Sequence, residues 1–397
     1  MKNLLLLSVL ILTTGSMPVY AQNNSSGWSF EITPFKTQVY GNDVHVGDEF
    51  SYYEKYDFTK QMVDLSYGVD YKPVLTRMNP DGSLSYSANY RKGKWGFEFS
   101  VYDFEVSGSA DGAVKSPQST VGTASYQVYL SGVRFWDQSL APVTNHLNEN
   151  NGSPFFAFSD VDYWARNKLS LKRKDILATR YFGVSDKRNI NLGIGLRFLR
   201  LENYRNEGLH QRAFLYDNYW DYFNSVLGHF DNDITLESSS LANHGNLIGP
   251  VWSLGATPFT LKRLSVSGYI REAILFGRRE ETGNWKDVDD IWIVTGPRGG
   301  PFNRYKQYAY FEGNFPLQNK DKTAIWMNEA KTSVTFKLNR FLDVGTTFYF
   351  SYLSNVQSAS KWSVPGEWKA LGGSGWQETR QNLIVWSFAP VFFKVKF

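Results

Sequence analysis

The chain has 397 residues, with 42 Lys and Arg against 38 Asp and Glu, and a net charge of only +4 does not indicate nucleic acid as a partner. It contains no Cys, which excludes disulfides, thiolate metal sites and a cysteine nucleophile. Aromatic residues reach 17 %, as 24 Tyr, 29 Phe and 13 Trp, although the mean hydropathy is only −0.37.

At the start, Lys2 precedes an apolar run from Leu4 to Leu12 broken only by Ser8, and Val19-Tyr20-Ala21 gives a small-x-small cleavage pattern before Gln22. This reads as a secretion signal over 1–21, leaving 22–397 as a single barrel domain. The run is shorter than the roughly 20 apolar residues that a spanning helix needs, and no other stretch reaches that length. A helical membrane protein is therefore excluded. A transmembrane β-barrel is not, because its strands are about 10 residues long and half polar, with aromatic girdles at the two interfaces.

The next elements alternate with period two, the signature of a half-buried strand. Segments 28–40 and 45–58 read as a first pair. Val63, Leu65, Tyr67, Val69 and Tyr71 then alternate with Asp64, Ser66, Gly68, Asp70 and Lys72. Leu84, Tyr86, Ala88 and Tyr90 lead into the turn Arg91-Lys92-Gly93-Lys94, and Trp95, Phe97, Phe99 and Val101 follow, opposite Glu98, which predicts a tight hairpin. Ala124, Tyr126, Val128 and Leu130 alternate too. The clearest stripe is Ile190, Leu192, Ile194, Leu196 and Phe198, opposite Asn191, Gly193, Gly195 and Arg197. Further strands are predicted at 160–182, 235–257, 263–280, 321–338, 342–355 and 380–397.

Short connections at 183–188, 258–262 and 339–341 alternate with long ones at 107–121, 204–234, 281–303 and 356–379. That asymmetry matches the periplasmic turns and extracellular loops of outer-membrane barrels. The last strand carries Ala389, Val391, Phe393, Val395 and Phe397 on one face, with Lys394 and Lys396 between them. It resembles the terminal-aromatic strand by which the barrel-insertion machinery recognises its clients, and in a closed barrel it would pair with the first strand and leave no edge. The expected fold is all-β: a closed antiparallel transmembrane barrel of 12 to 14 strands, 16 being possible. It implies the outer membrane of a Gram-negative bacterium, in contact with its lipid and lipopolysaccharide. A soluble β-sandwich or carbohydrate-binding domain is the bland alternative.

The hairpin Tyr90-Arg91-Lys92-Gly93-Lys94-Trp95, the segment from Leu192 to Glu202, and Gly249-Pro250-Val251 leading to Ile274-Leu275-Phe276-Gly277 occur in an order that resembles the Legionella-type major outer-membrane protein family. The likeness covers roughly 60–280. It implies a porin-like channel or an abundant surface barrel and carries over no catalytic residues.

Applying the alternation to charges places Trp164, Arg166, Lys168, Ser170 and Lys172 inward on 160–182, joined by Arg197 and Arg271, with Asp64, Asp70 and Glu98 on another stretch of wall. Opposed charges of this kind suit a water-filled pore for passive diffusion of small hydrophilic solutes, lined by Arg166, Lys168, Arg197 and Arg271 against Asp64, Asp70 and Glu98. The competing reading is a salt-bridged plug in a closed barrel. Asn167 and Glu272 fall on the supposed lipid face and argue for a bulge or a register shift there.

The segment 204–234 holds Tyr216, Tyr219, Trp220, Tyr222, Phe223 and Phe230 among Asp217, Asp221, Asp231 and Asp233. Tyr219, Trp220, Asp217 and Asp221 are the candidates for loop binding, as a sugar-stacking or Ca²⁺ surface; a cap packed on the rim is the alternative. A surface-exposed structural or adhesive barrel that meets host or matrix partners through such loops is therefore the second functional reading. Enzyme readings fare worse. His244 sits near Ser238, Ser239 and Ser240, but Asn243-His244-Gly245-Asn246 has Asn where a barrel phospholipase would carry Ser, and Gly296-Pro297-Arg298-Gly299-Gly300 lacks the Lys-Ser/Thr of a phosphate loop. No catalytic residue, metal site or cofactor is expected.

Overall fold

Closing the sheet on itself buries one face of every alternating segment without leaving an edge, and the chain does so. The computed structural model describes residues 26–57, 62–64, 70–114, 120–121, 125–135, 156–185, 188–216, 229–295, 303–363 and 375–397. Ten strands form the wall: β1 (Gly27–Tyr40), β2 (Asp81–Lys92), β3 (Trp95–Val114), β4 (Phe156–Ser185), β5 (Arg188–Tyr216), β6 (His229–Leu261), β7 (Leu264–Thr295), β8 (Asn303–Lys337), β9 (Leu342–Gln357) and β10 (Arg380–Lys396). Sequential strands pair antiparallel around the ring, and β10 returns to β1. At that seam Ser29 opposes Lys396 and Tyr40 opposes Ile384, and the Phe397 N–H donates to the Trp28 carbonyl at 2.9 Å. The final strand is thus paired on both sides.

The ring of ten corrects the expected 12 to 14 strands. Val44–Asp57 leaves the wall and pairs with Ser125–Phe135 on one edge and with Asp70–Thr76 and Met62–Asp64 on the other, forming a separate small sheet. Alternation announces a strand but not the sheet it joins. The expected loops 204–234 and 281–303 are also largely strand: β5 runs on to Tyr216, β6 starts at His229, β7 reaches Thr295 and β8 starts at Asn303.

The predicted hairpin at Gly93 is present, with Lys92 opposing Trp95 and Gly93 at φ +61°. The matching turn between β6 and β7 places Lys262 at φ +49°, because tight hairpins require this left-handed backbone. These turns mark the lower end of the barrel. Strands β4 to β8 hold 29 to 35 residues each, about three times the 9 to 11 that cross a bilayer core.

Immediately above the lower turns the outer face is a continuous apolar band. Leu192, Ile194 and Leu196 on β5, Ile274 and Phe276 on β7, Trp326 on β8 and Trp386 and Phe388 on β10 are all exposed there. At the lower rim the Arg180 guanidinium lies over the Trp95 and Phe182 rings, 5.5 and 5.4 Å from their centroids, and that of Arg340 over Phe341 at 4.4 Å. Farther up, the outer face turns charged, with Lys168 and Lys172 on β4, Arg200 on β5 and Lys320 on β8.

Candidate functional site in the barrel bore

At the height of the outer apolar band, charged side chains meet across the bore. Arg197 on β5 forms a two-pronged pair with Asp175 on β4, Nε to Oδ1 and Nη2 to Oδ2, both at 2.7 Å, and the same Nη2 donates to Glu329 on β8 at 2.6 Å. Arg173 on β4 pairs with Glu329 and donates to the Tyr349 hydroxyl on β9 at 2.7 Å. Arg271 on β7 clamps Glu98 on β3 at 2.6 and 2.7 Å and lies 3.4 Å from Asp175. Strands β4 and β8 are four steps apart on a ring of ten, as are β3 and β7, so these pairs cross the lumen.

Three guanidinium groups thus face three carboxylates, and all but Glu98 are nearly inaccessible. Burying charge costs several kcal/mol per ion unless it is paired, and here every cation has a carboxylate partner, although Arg173 Nε and Arg197 Nη1 make no hydrogen bond. The register partner of Arg197 on β6 is Gly249. A Cβ at that glycine would lie 1.7 Å from the Ile274 carbonyl oxygen.

Above this tier the bore is apolar. Leu169, Leu171, Leu199, Leu201, Leu247, Val251, Ala273, Leu275, Ile325, Met327, Leu353, Leu383 and Val385 form one buried cluster with Phe35 and Phe104. A barrel of eight strands is just wide enough for side chains to fill, and in ten the longer Arg, Tyr and Leu side chains span the remaining width.

A second polar tier lies higher still and is built partly by connections that fold inward. Asn42, just after β1, is held by Asn167, Asn203 and Gln381, with Asn203 Nδ2 donating to its side-chain oxygen at 2.6 Å. Beside it Met78 is buried, and its carbonyl accepts from Gln38 at 2.6 Å. From the β9–β10 connection, Ser360 donates its N–H and hydroxyl to Glu281 at 2.6 and 3.0 Å, and its carbonyl accepts from Ser240 at 2.6 Å. Arg279 pairs with Glu281 and reaches Glu378 at 3.3 Å. Uppermost, Tyr163, Ala165, Leu209, Leu236 and Trp285 pack with Val74 of the small sheet.

Of the predicted lining residues, Arg197, Arg271 and Glu98 lie in the bore, Arg271 paired with Glu98 and both arginines in reach of Asp175. Arg166 and Lys168 do not. On β4 the odd positions Asn167, Leu169, Leu171, Arg173 and Asp175 are buried, while Arg166 and Lys168 are exposed on the outer wall, Lys168 paired with Glu105 at 2.8 Å. Trp164, Ser170 and Lys172 share that outward face. At this height the filled bore makes the inward face largely apolar and leaves the charges on the outer wall, so hydrophobicity no longer marks the outside. Asn167 needs no bulge, since it points into the upper tier, whereas Glu272 does lie outside and accepts from Trp252 Nε1 at 2.9 Å. Asp64 and Asp70 belong to the small sheet and not to the barrel wall.

Arg173, Asp175, Glu329 and Tyr349 were missed. They lie on three strands, and only the strand register brings them together. The candidates Asp217, Tyr219, Trp220 and Asp221 lie outside the described residues. Among the described residues, no three His, Asp or Glu side chains are placed to hold a metal ion. Ser240 and His244 share the inward face of β6, but the Ser240 hydroxyl is bonded to the Ser360 carbonyl and His244 Nε2 donates to Gln357 at 2.9 Å, so they do not form a nucleophile–base pair. Burial, with Arg279 adding to it, pushes the His244 imidazole down to about 4.

No family model matches the chain, and no curated protein does. Among solved structures it is similar to the outer membrane protease OmpT from Escherichia coli, at 10 % identity and TM-score 0.39, covering 95 % of this chain and 99 % of that one. It is also similar to the toluene transporter TodX of P. putida, at 8 % identity and TM-score 0.28 over 94 % and 90 % of the two chains. A Pseudomonas aeruginosa FadL homologue aligns at 8 % identity and TM-score 0.24 over 93 % and 90 %.

Proposed function

We propose that this chain is an outer-membrane β-barrel of a Gram-negative envelope whose stem is sealed by its own side chains and whose tall upper wall acts at the cell surface, as a structural or ligand-binding barrel. The observation that carries this reading is the cross-bore network of Arg173, Asp175, Arg197, Glu329, Arg271 and Glu98, stacked beneath an apolar tier. The membrane part rests on the apolar exposed band, the aromatic and cation-stacked lower rim and the absence of a sheet edge in the ring. The surface part rests on strands that run far beyond a bilayer's thickness. Affiliation with the Legionella-type major outer-membrane protein family belongs to the same proposal.

A passive channel for small hydrophilic solutes would require both tiers to part. Planar-bilayer recording of the refolded protein separates the two readings. The sealed stem predicts insertion without stepwise conductance. Ohmic steps whose ion preference changes on Arg197→Glu would establish the channel instead.

A further inference from the structure

The outer wall carries an unbalanced pair of cations where its apolar band ends. Arg278 on β7 and Lys322 on β8 are register partners, both exposed on the outer face. Neighbouring cations at this height are matched: Lys172 lies 3.3 Å from Asp103, Arg200 lies 2.5 Å from Glu202, and Lys320 lies 3.0 Å from Glu280. Among the described residues Arg278 and Lys322 have no ion-pair partner. Like charges directly opposed in a sheet repel. Directly below them on the same two strands lie Phe276 and Ala324, then Ile274 and Trp326, with Ile248 alongside on β6. Phe276, Trp326 and Ile248 are 57, 48 and 45 % exposed. The surface therefore offers two adjacent cations above an apolar track, the complement of an amphiphile with an anionic head.

We propose that Arg278 and Lys322 together clamp the phosphate of a lipid headgroup in the outer leaflet, with the acyl chains lying along Phe276, Ile274 and Trp326. The strand spacing of about 4.8 Å lets both side chains reach one phosphate, and a guanidinium presents the paired donors that phosphate oxygens accept. The proposal rests on the membrane reading above but not on the sealed bore.

Native mass spectrometry of the refolded full chain, in detergent micelles doped with phosphatidic acid or phosphatidylcholine, tests it. Phosphatidic acid is expected to be retained preferentially, and Arg278→Gln with Lys322→Gln is expected to weaken that retention about tenfold or more. Lys320→Gln, whose cation is already committed to Glu280, should leave it unchanged. Equal retention of the two lipids by the unaltered protein, or undiminished phosphatidic acid on the double variant, would overturn the proposal. Should the double variant not fold, Lys322→Gln alone and the unaltered protein's lipid preference still decide. Failure of the membrane reading would look different: the chain would stay in solution after detergent removal.

Discussion

Arg271 and Glu98, separated by 173 positions in the chain, meet across the bore in a bidentate pair at 2.6 and 2.7 Å. The pair joins opposite walls of the ring, so it stiffens the stem as well as neutralising charge. Removing Glu98 leaves the buried Arg271 with only its longer contact to Asp175, and removing Arg271 takes a cation from both Glu98 and the buried Asp175. Glu98→Gln and Arg271→Gln are each expected to cost about 3–5 kcal/mol, and the double variant less than their sum. Denaturant titration of the refolded barrel measures both, and strict additivity would show the two residues to be energetically independent.

The sealing should survive loss of that pair. Glu98→Ala combined with Arg271→Ala opens the ionic tier but leaves the Leu199, Leu247, Leu275 and Ile325 tier above it. Bilayer recordings of a folded double variant are expected to remain silent. Stepwise conductance would mean that the ionic tier alone closes the bore.

Gly249 sits where β6 approaches β7 too closely for a side chain. Gly249→Ala must displace backbone beside Arg197, and its cost should exceed the roughly 1 kcal/mol of an average substitution. A shift in the thermal unfolding midpoint reads this directly, and an unchanged midpoint would contradict the close approach.

His244 predicts a pH dependence. Its folded-state value of about 4 lies below the ordinary 6.5, so between these values the unfolded chain binds more protons. Stability contributed by the neutral imidazole is present above pH 6.5 and is lost as pH falls toward 4, by on the order of 3 kcal/mol in total. In His244→Gln the unfolding midpoint should fall less steeply over that window. Identical slopes for the two proteins would place the acid sensitivity elsewhere.

Lys168, now on the outer wall, pairs with Glu105 in the open, so Lys168→Ala should change stability by less than about 1 kcal/mol. A loss several times larger would argue for an inward Lys168.

The barrel class was legible because outward apolar residues and turn residues announce themselves locally. The stripe Leu192, Ile194 and Leu196 and the turn at Gly93 stand where the alternation placed them. Arg197, Arg271 and Glu98 alternate with outward apolar residues and point into the bore.

What the chain determined by itself is therefore periodicity: which segments are strands, where the tight turns fall, and which face is greasy when the other is polar. Only the tertiary structure decided that ten strands close the ring, that Val44–Asp57 leaves it, and that Arg173, Asp175 and Glu329 converge. The physical reason is the narrow bore. Once side chains fill the inside, the buried face of a strand such as β4 is largely apolar while its outward face carries Arg166, Lys168 and Lys172, and direction is set by neighbours across the lumen that no local pattern records.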